Sequence, residues 1–119
     1  MNKNTQNAPA RRPVSYDEFM RERALKLIDE ISGAVPAEYG LMIDERAVQF
    51  PYILMTPFGD WVRFDDPADA LISAYRSEGI ELSGAAEDAV IIWNEFVEMD
   101  DDEHAENEKY LIENGCLYL

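Results

Sequence analysis

The chain holds one imidazole, His104, set in the run Asp102-Glu103-His104-Ala105-Glu106, and one thiol, Cys116, set in an apolar stretch beside Leu117. Nucleophilic catalysis by serine or cysteine needs a base held within hydrogen-bond reach. A single histidine embedded among carboxylates gives such a pair little support, and Cys116 reads as a small hydrophobe with an unactivated thiol. The six glycines are isolated, and none is followed by Lys-Ser or Lys-Thr, so no phosphate-cradling loop is present. Asp100, Asp101, Asp102, Glu103, His104 and Glu108 gather the ligand types a divalent cation takes. In calcium-loop register from Asp100, however, position six is Ala105 instead of Gly and position twelve is Leu111 instead of Glu. Carboxylate pairs such as Glu95 with Glu98 suit acid–base work by spacing, but among 25 Asp and Glu such pairs arise by chance. The expectation is a protein without catalytic residues, metal or cofactor.

What remains is charge. The formal net charge is -15, from 25 acidic and 10 basic side chains. Residues 1–76 carry a net of -3 and residues 77–119 a net of -12, the latter with Lys109 as its one basic residue. Nucleic acid and anionic membrane repel such a surface, whereas basic proteins are attracted to it. A low lysine count also suits a halophilic source, but that origin spreads carboxylates over every face, and the first 76 residues do not show it.

The acidity peaks at Glu95, Glu98, Asp100, Asp101, Asp102, Glu103, Glu106, Glu108 and Glu113. Like charges on adjacent helical turns repel by a few tenths of a kcal/mol per pair, so crowding them on one folded segment costs stability that solubility alone does not require. Carboxylates one turn apart stand roughly 5 to 6 Å from each other, on the order of the spacing between neighbouring phosphates. These nine residues are the expected partner-binding set, presented as a phosphate-like row to the basic groove of a nucleic-acid-binding protein. The expected function is a non-enzymatic DNA mimic of the anti-restriction or anti-CRISPR type, as deployed by phages and mobile elements. An immunity protein covering one nuclease toxin is the close alternative. A structural or assembly module, a homodimer that buries the hairpin and helix faces and whose acidity serves only solubility, is the third.

The elements that must position this row follow from pattern. Met1 to Pro13 reads as a polar, flexible tail, and residues 14–119 as one domain of α+β class. With no apolar run fit for a signal peptide or a membrane span, and one cysteine, the cytoplasm is the expected compartment. Ser15 and Glu18 form a capping-box pattern with Val14 and Phe19 as its staple, opening a helix that carries Tyr16, Phe19, Met20, Leu27, Ile28 and Ile31 on one face and stops at Gly33 and Pro36. That helix is expected to pack on a sheet. Tyr39 to Phe64 reads as strands, including Val48 and Phe50, with Thr56-Pro57-Phe58-Gly59-Asp60 as the turn of an antiparallel hairpin. Pro51 places its strand at an edge or begins it. Tyr52, Phe58, Trp61 and Phe64 are expected in the core.

Asp66, Pro67 and Asp69 open a helix that ends at Gly79. Another runs from Ser83 with Ala86, Ala89, Val90, Trp93, Phe96 and Val97 on its apolar face. Continuing its register puts Asp100, His104 and Asn107 on that face, which predicts a break within Asp100 to Glu103. For the last segment, Asn114-Gly115 suits either a hairpin or a helix end, and a helix with a short extended tail is preferred.

Overall fold

The computed structural model describes residues 11–119, so the expected tail is outside it up to residue 10. In chain order the elements are α1 (Tyr16–Gly33), β1 (Gly40–Ile43), β2 (Tyr52–Met55), β3 (Trp61–Phe64), α2 (Pro67–Glu78), α3 (Gly84–Val97) and α4 (Asp101–Glu113). This is an α+β chain: one helix, a three-stranded antiparallel sheet containing a hairpin, then three helices. Ala24–Glu98 forms one compact unit, and residues 11–23 with the segment from Met99 form another. Among the described residues no helix is long and apolar enough to cross a membrane.

In the larger unit the strands lie in the order β1-β2-β3. The register pairs Leu41 with Leu54 and Leu54 with Val62, so Leu41, Ile43, Tyr52, Leu54, Val62 and Phe64 share one face. Helix α2 packs on β2 and β3. Its Ala70 and Ala74, both fully buried, join Leu54 and Tyr39 in one cluster, because side chains this small let a helix lie close to a sheet. The adjoining face of α2 presents Leu71 and Tyr75 to Leu27, Ile28 and Ile31 of α1 and to Ala86, Ala89, Val90 and Trp93 of α3. The helix that covers the sheet is therefore α2. The core face of α1 is taken up mainly by other helices, against which Leu41, Ile43 and Tyr52 pack only from the periphery.

Asp66 fixes the start of α2. Its Oδ1 accepts from the backbone N–H groups of Ala68 (2.8 Å) and Asp69 (3.2 Å), with Pro67 in the first turn. Gly79 ends the helix in the left-handed region at φ 69°, and its N–H and that of Ile80 return to the Arg76 and Tyr75 carbonyls. Tyr75 donates its hydroxyl to the Ala34 carbonyl at 2.7 Å, tying the residue after α1 to α2.

Two expectations about the sheet change, those for Val48 and Phe50 and those for Phe58 and Trp61. Val48 and Phe50 lie in the β1–β2 connection, not in strands, and Val48 is 98% exposed. Pro51 immediately precedes β2, the central strand, which is the second of its two expected placements; its carbonyl accepts from Asp44 N–H at 2.7 Å, and the missing donor of proline falls before the ladder begins. Trp61 and Phe58 are 68% and 74% exposed, whereas Tyr52 and Phe64 are partly buried. The period-two alternation explains the split for the strand residues, since Tyr52 and Phe64 share the α2-facing side and Trp61 points away from it.

Asp44 holds the β1–β2 connection. The Arg46 N–H and the Arg63 guanidinium, 3.1 Å from its Oδ2, keep its carboxyl below the usual carboxylate value. A depressed folded value means the contribution to stability is present above the ordinary range and disappears as pH falls through the folded value. We expect the Arg46 amide and Arg63 guanidinium NMR signals to move together in acid, with a midpoint below that of a free aspartate, and to be pH-independent there in Asp44→Asn.

In the smaller unit, Ser15 Oγ accepts from Glu18 N–H at 3.1 Å, half of the expected capping box. The Glu18 carboxylate instead binds Arg12, whose guanidinium competes better for it than a backbone amide. Arg12 and Leu119 exchange two backbone hydrogen bonds of 2.9 Å, and Val14 N–H donates to the Leu117 carbonyl. The last residues thus form the extended tail that follows α4. Gly115, at φ 64°, ends that helix, with its N–H on Ile112 and that of Cys116 on Leu111.

Candidate functional site

Helix α3 ends at Val97, ahead of the break expected within Asp100 to Glu103. Val97 is 49% exposed, although it lies on the apolar face of the helix. The break falls at Glu98–Asp100, ahead of the Asp100–Glu103 run, because Asp100 is a strong cap. Its Oδ1 accepts from Glu103 N–H at 2.8 Å, and Glu103 Oε1 accepts from Asp100 N–H at 3.2 Å, a reciprocal capping box. The run Asp100 to Glu103, expected to hold a break, is therefore a helix start.

His104 and Asn107, the polar residues that continue the apolar face, find a partner on α1. The Tyr16 hydroxyl lies 2.8 Å from His104 Nδ1, and Asn107 Nδ2–H donates to the Tyr16 oxygen at 3.1 Å. The Tyr16 and His104 rings meet edge to face. With Leu111 buried one turn further on, these residues orient α4. Since His104 and Asn107 occupy the inward side, the carboxylates fall on the rest of the circumference.

All nine expected residues are exposed, and none is in an ion pair among the described residues. Glu95 and Glu98 belong to the end of α3, and Asp100 to Glu113 to α4 and its cap. Helix geometry sorts them. Asp100, Asp101, Asp102 and Glu103 cap or occupy the first turn of α4, where the helix dipole favours negative charge by about 0.3 to 1 kcal/mol each at low salt. Glu95 and Glu98 stand at the C-terminal end of α3, and Glu113 closes α4; neither helix has a basic residue in its last turn. There the dipole opposes carboxylates by a similar amount. Local physics thus explains the first group and leaves Glu95, Glu98 and Glu113 unexplained.

By helical spacing Asp102, Glu106, Lys109 and Glu113 form the outward row of α4, with Lys109 as its one cation. The helix is about 20 Å long and carries a net charge of -5, about one charge per 4 Å. A single strand of B-DNA carries one per about 3.4 Å of helix axis. The linear charge densities are comparable, so a groove lined with Arg and Lys would find enough partners along α4.

Among the described residues no three His, Cys, Asp or Glu side chains converge as a metal ion requires. Sequence reasoning missed two features. One is Asp66 Oδ2, which accepts from the Trp93 indole N–H at 3.0 Å and so joins α2 to α3; only the pairing of a capping residue with a distant tryptophan could have signalled it. The other is the exposed Trp61 on the outer face of the sheet, for which strand alternation from Tyr52 was the available signal. No protein-family model, curated protein or solved structure matches this chain.

Proposed function

We propose that this protein is a non-enzymatic inhibitor that imitates nucleic acid with its acidic C-terminal helix, acting in the cytoplasm on the basic groove of a nucleic-acid-binding defence protein. One observation carries the reading: α4 is capped at both ends and anchored through His104, Asn107 and Leu111, so its carboxylates are held as an array of nearly the charge density of a DNA strand. Glu95, Glu98 and Glu113 support it further, since they stand where charge costs helix stability, and a residue kept against local stability is expected where function uses it. Glu95, Glu98, Asp100, Asp101, Asp102, Glu103, Glu106, Glu108 and Glu113 are the proposed partner contacts.

The reading is tested by capturing host proteins on the immobilised full chain and eluting separately with salt and with duplex DNA. The expected ligand is a nucleic-acid-binding protein released by DNA and by raising NaCl from about 50 to 500 mM, since exposed charges interact over about 8 to 10 Å at moderate ionic strength. A bound protein indifferent to both contradicts the reading. An immunity protein would instead yield one cognate nuclease that DNA fails to displace.

A further inference from the structure

We infer that Asn114-Gly115, at the end of α4, is a self-modification site where the chain converts Asn114 to aspartyl and isoaspartyl, at a rate set by opening of the last turn of the helix. Asparagine is among the chemically labile residues, and Asn114 is the one asparagine of the chain that glycine follows. Without a Cβ, glycine leaves its backbone nitrogen the freest approach to the preceding side-chain amide. Both residues are exposed, so water reaches them. The Gly115 nitrogen gives up its proton to solvent and attacks Asn114 Cγ. The new N–Cγ bond closes a five-membered imide, and the Cγ–Nδ2 bond breaks to release ammonia. Water then opens the imide. Cleavage of the N–Cγ bond leaves aspartate, and cleavage at the main-chain carbonyl leaves isoaspartate, in which the backbone runs through Cβ and Cγ.

The folded helix end holds the two reacting groups apart. Asn114 Nδ2–H donates to the Tyr110 carbonyl at 2.8 Å, and Gly115 N–H donates to the Ile112 carbonyl at 3.1 Å. Asn114 has ψ 7°. Ring closure instead brings the next nitrogen alongside Cβ, a rotation of about 120° around a tetrahedral Cα. That rotation breaks both hydrogen bonds and draws the Cys116 N–H from the Leu111 carbonyl, its partner at 2.8 Å. The reaction therefore starts from an opened helix end, and end turns are where a helix opens at least cost. The product closes the turn less well. A carboxylate has no N–H for the Tyr110 carbonyl, stands beside Glu113 where the helix dipole opposes negative charge, and adds one more to a chain of -15. The isoaspartyl form also lengthens the main chain by one carbon. Exchange of ammonia for water needs no partner protein, so the site stands apart from the proposed inhibition.

Incubation of the full chain in mildly alkaline buffer, folded and unfolded in urea, tests this when followed by cleavage after Lys109 and mass spectrometry of the Tyr110–Leu119 peptide. Conversion raises the peptide mass by about 1 Da, and the two products separate as peaks of equal mass. Product is expected in the folded chain, formed about ten- to a hundredfold more slowly than in urea. Asn94 and Asn107, each followed by Glu, are expected to stay intact over that time. Gly115→Asn, which still accepts the left-handed backbone, is expected to slow the conversion of Asn114 in urea by about tenfold or more. Asn114→Asp is expected to speed hydrogen exchange of the Gly115 and Cys116 amides by about tenfold, because the cap is lost. A folded chain still unconverted when a reaction about a hundredfold slower than in urea would be complete overturns the proposal. A folded rate equal to that in urea overturns it too, as does conversion that Gly115→Asn leaves unchanged. Unaltered exchange in Asn114→Asp contradicts the loss of the cap.

Discussion

Asp66→Ala is expected to destabilise the protein by about 2 to 4 kcal/mol, the sum of two losses at one carboxylate. Oδ1 satisfies two N–H groups at the start of α2, and an N-cap deletion costs about 1 kcal/mol. Oδ2 satisfies the indole N–H of Trp93, a side chain only 6% exposed, and a buried donor left without a partner costs about 1 to 3 kcal/mol. Neighbouring Asp65 is exposed and makes no such bonds, so Asp65→Ala should fall within about 0.5 kcal/mol of wild type. Asp66→Ser retains a capping oxygen but does not reach the indole, and should lose roughly half as much. Thermal unfolding of the three variants distinguishes these outcomes, with Asp66→Ala lower in Tm by on the order of 10 °C. An Asp66→Ala variant as stable as Asp65→Ala would show that the carboxylate is not the link between α2 and α3.

The second large effect concerns binding. Replacing Glu106, Glu108 and Glu113 together with Gln removes half of the six carboxylates of α4 without touching its cap, its first turn or the Tyr16 contacts. Affinity for the captured basic partner is expected to fall by about ten- to a hundredfold, mostly through slower association and with a shallower salt dependence. Stability is expected to hold or rise, because Glu113 no longer opposes the dipole at the helix end. The paired measurement of Tm and association rate is decisive, since a decorative charge would leave the rate unchanged. Replacing Asp100 and Glu103 is a poorer probe, because both form the capping box and their loss frays the helix itself.

Local signals carried most of the fold. Asp66, Pro67 and Gly79 bracket α2, and Gly33 stops α1, because caps and breakers act within a few residues. Signals that depend on tertiary partners did not transmit. Nothing near Ser15 says that Arg12 will claim Glu18, and nothing in the α1 pattern says that α2 will take the sheet. His104 and Asn107 were legible as a conflict on an apolar face but not as a resolved one, since Tyr16 lies 88 residues before His104. At the candidate site the carboxylates were countable from sequence, but their unequal standing was not. Only the positions of the two helix ends show that Asp100 to Glu103 serve α4 while Glu95, Glu98 and Glu113 oppose the helices they close. Trp61 was misplaced for a different reason: an aromatic cluster suggests a core, and only the register assigns its members to opposite faces.

The central claim is that a folded backbone holds the carboxylates of α4 in a fixed array, and ¹⁵N relaxation of the full chain tests it directly. Order parameters of about 0.85 from Asp102 to Ile112, equal to those of α2, are predicted. Values below about 0.6 over the same residues, with α2 rigid, would contradict it.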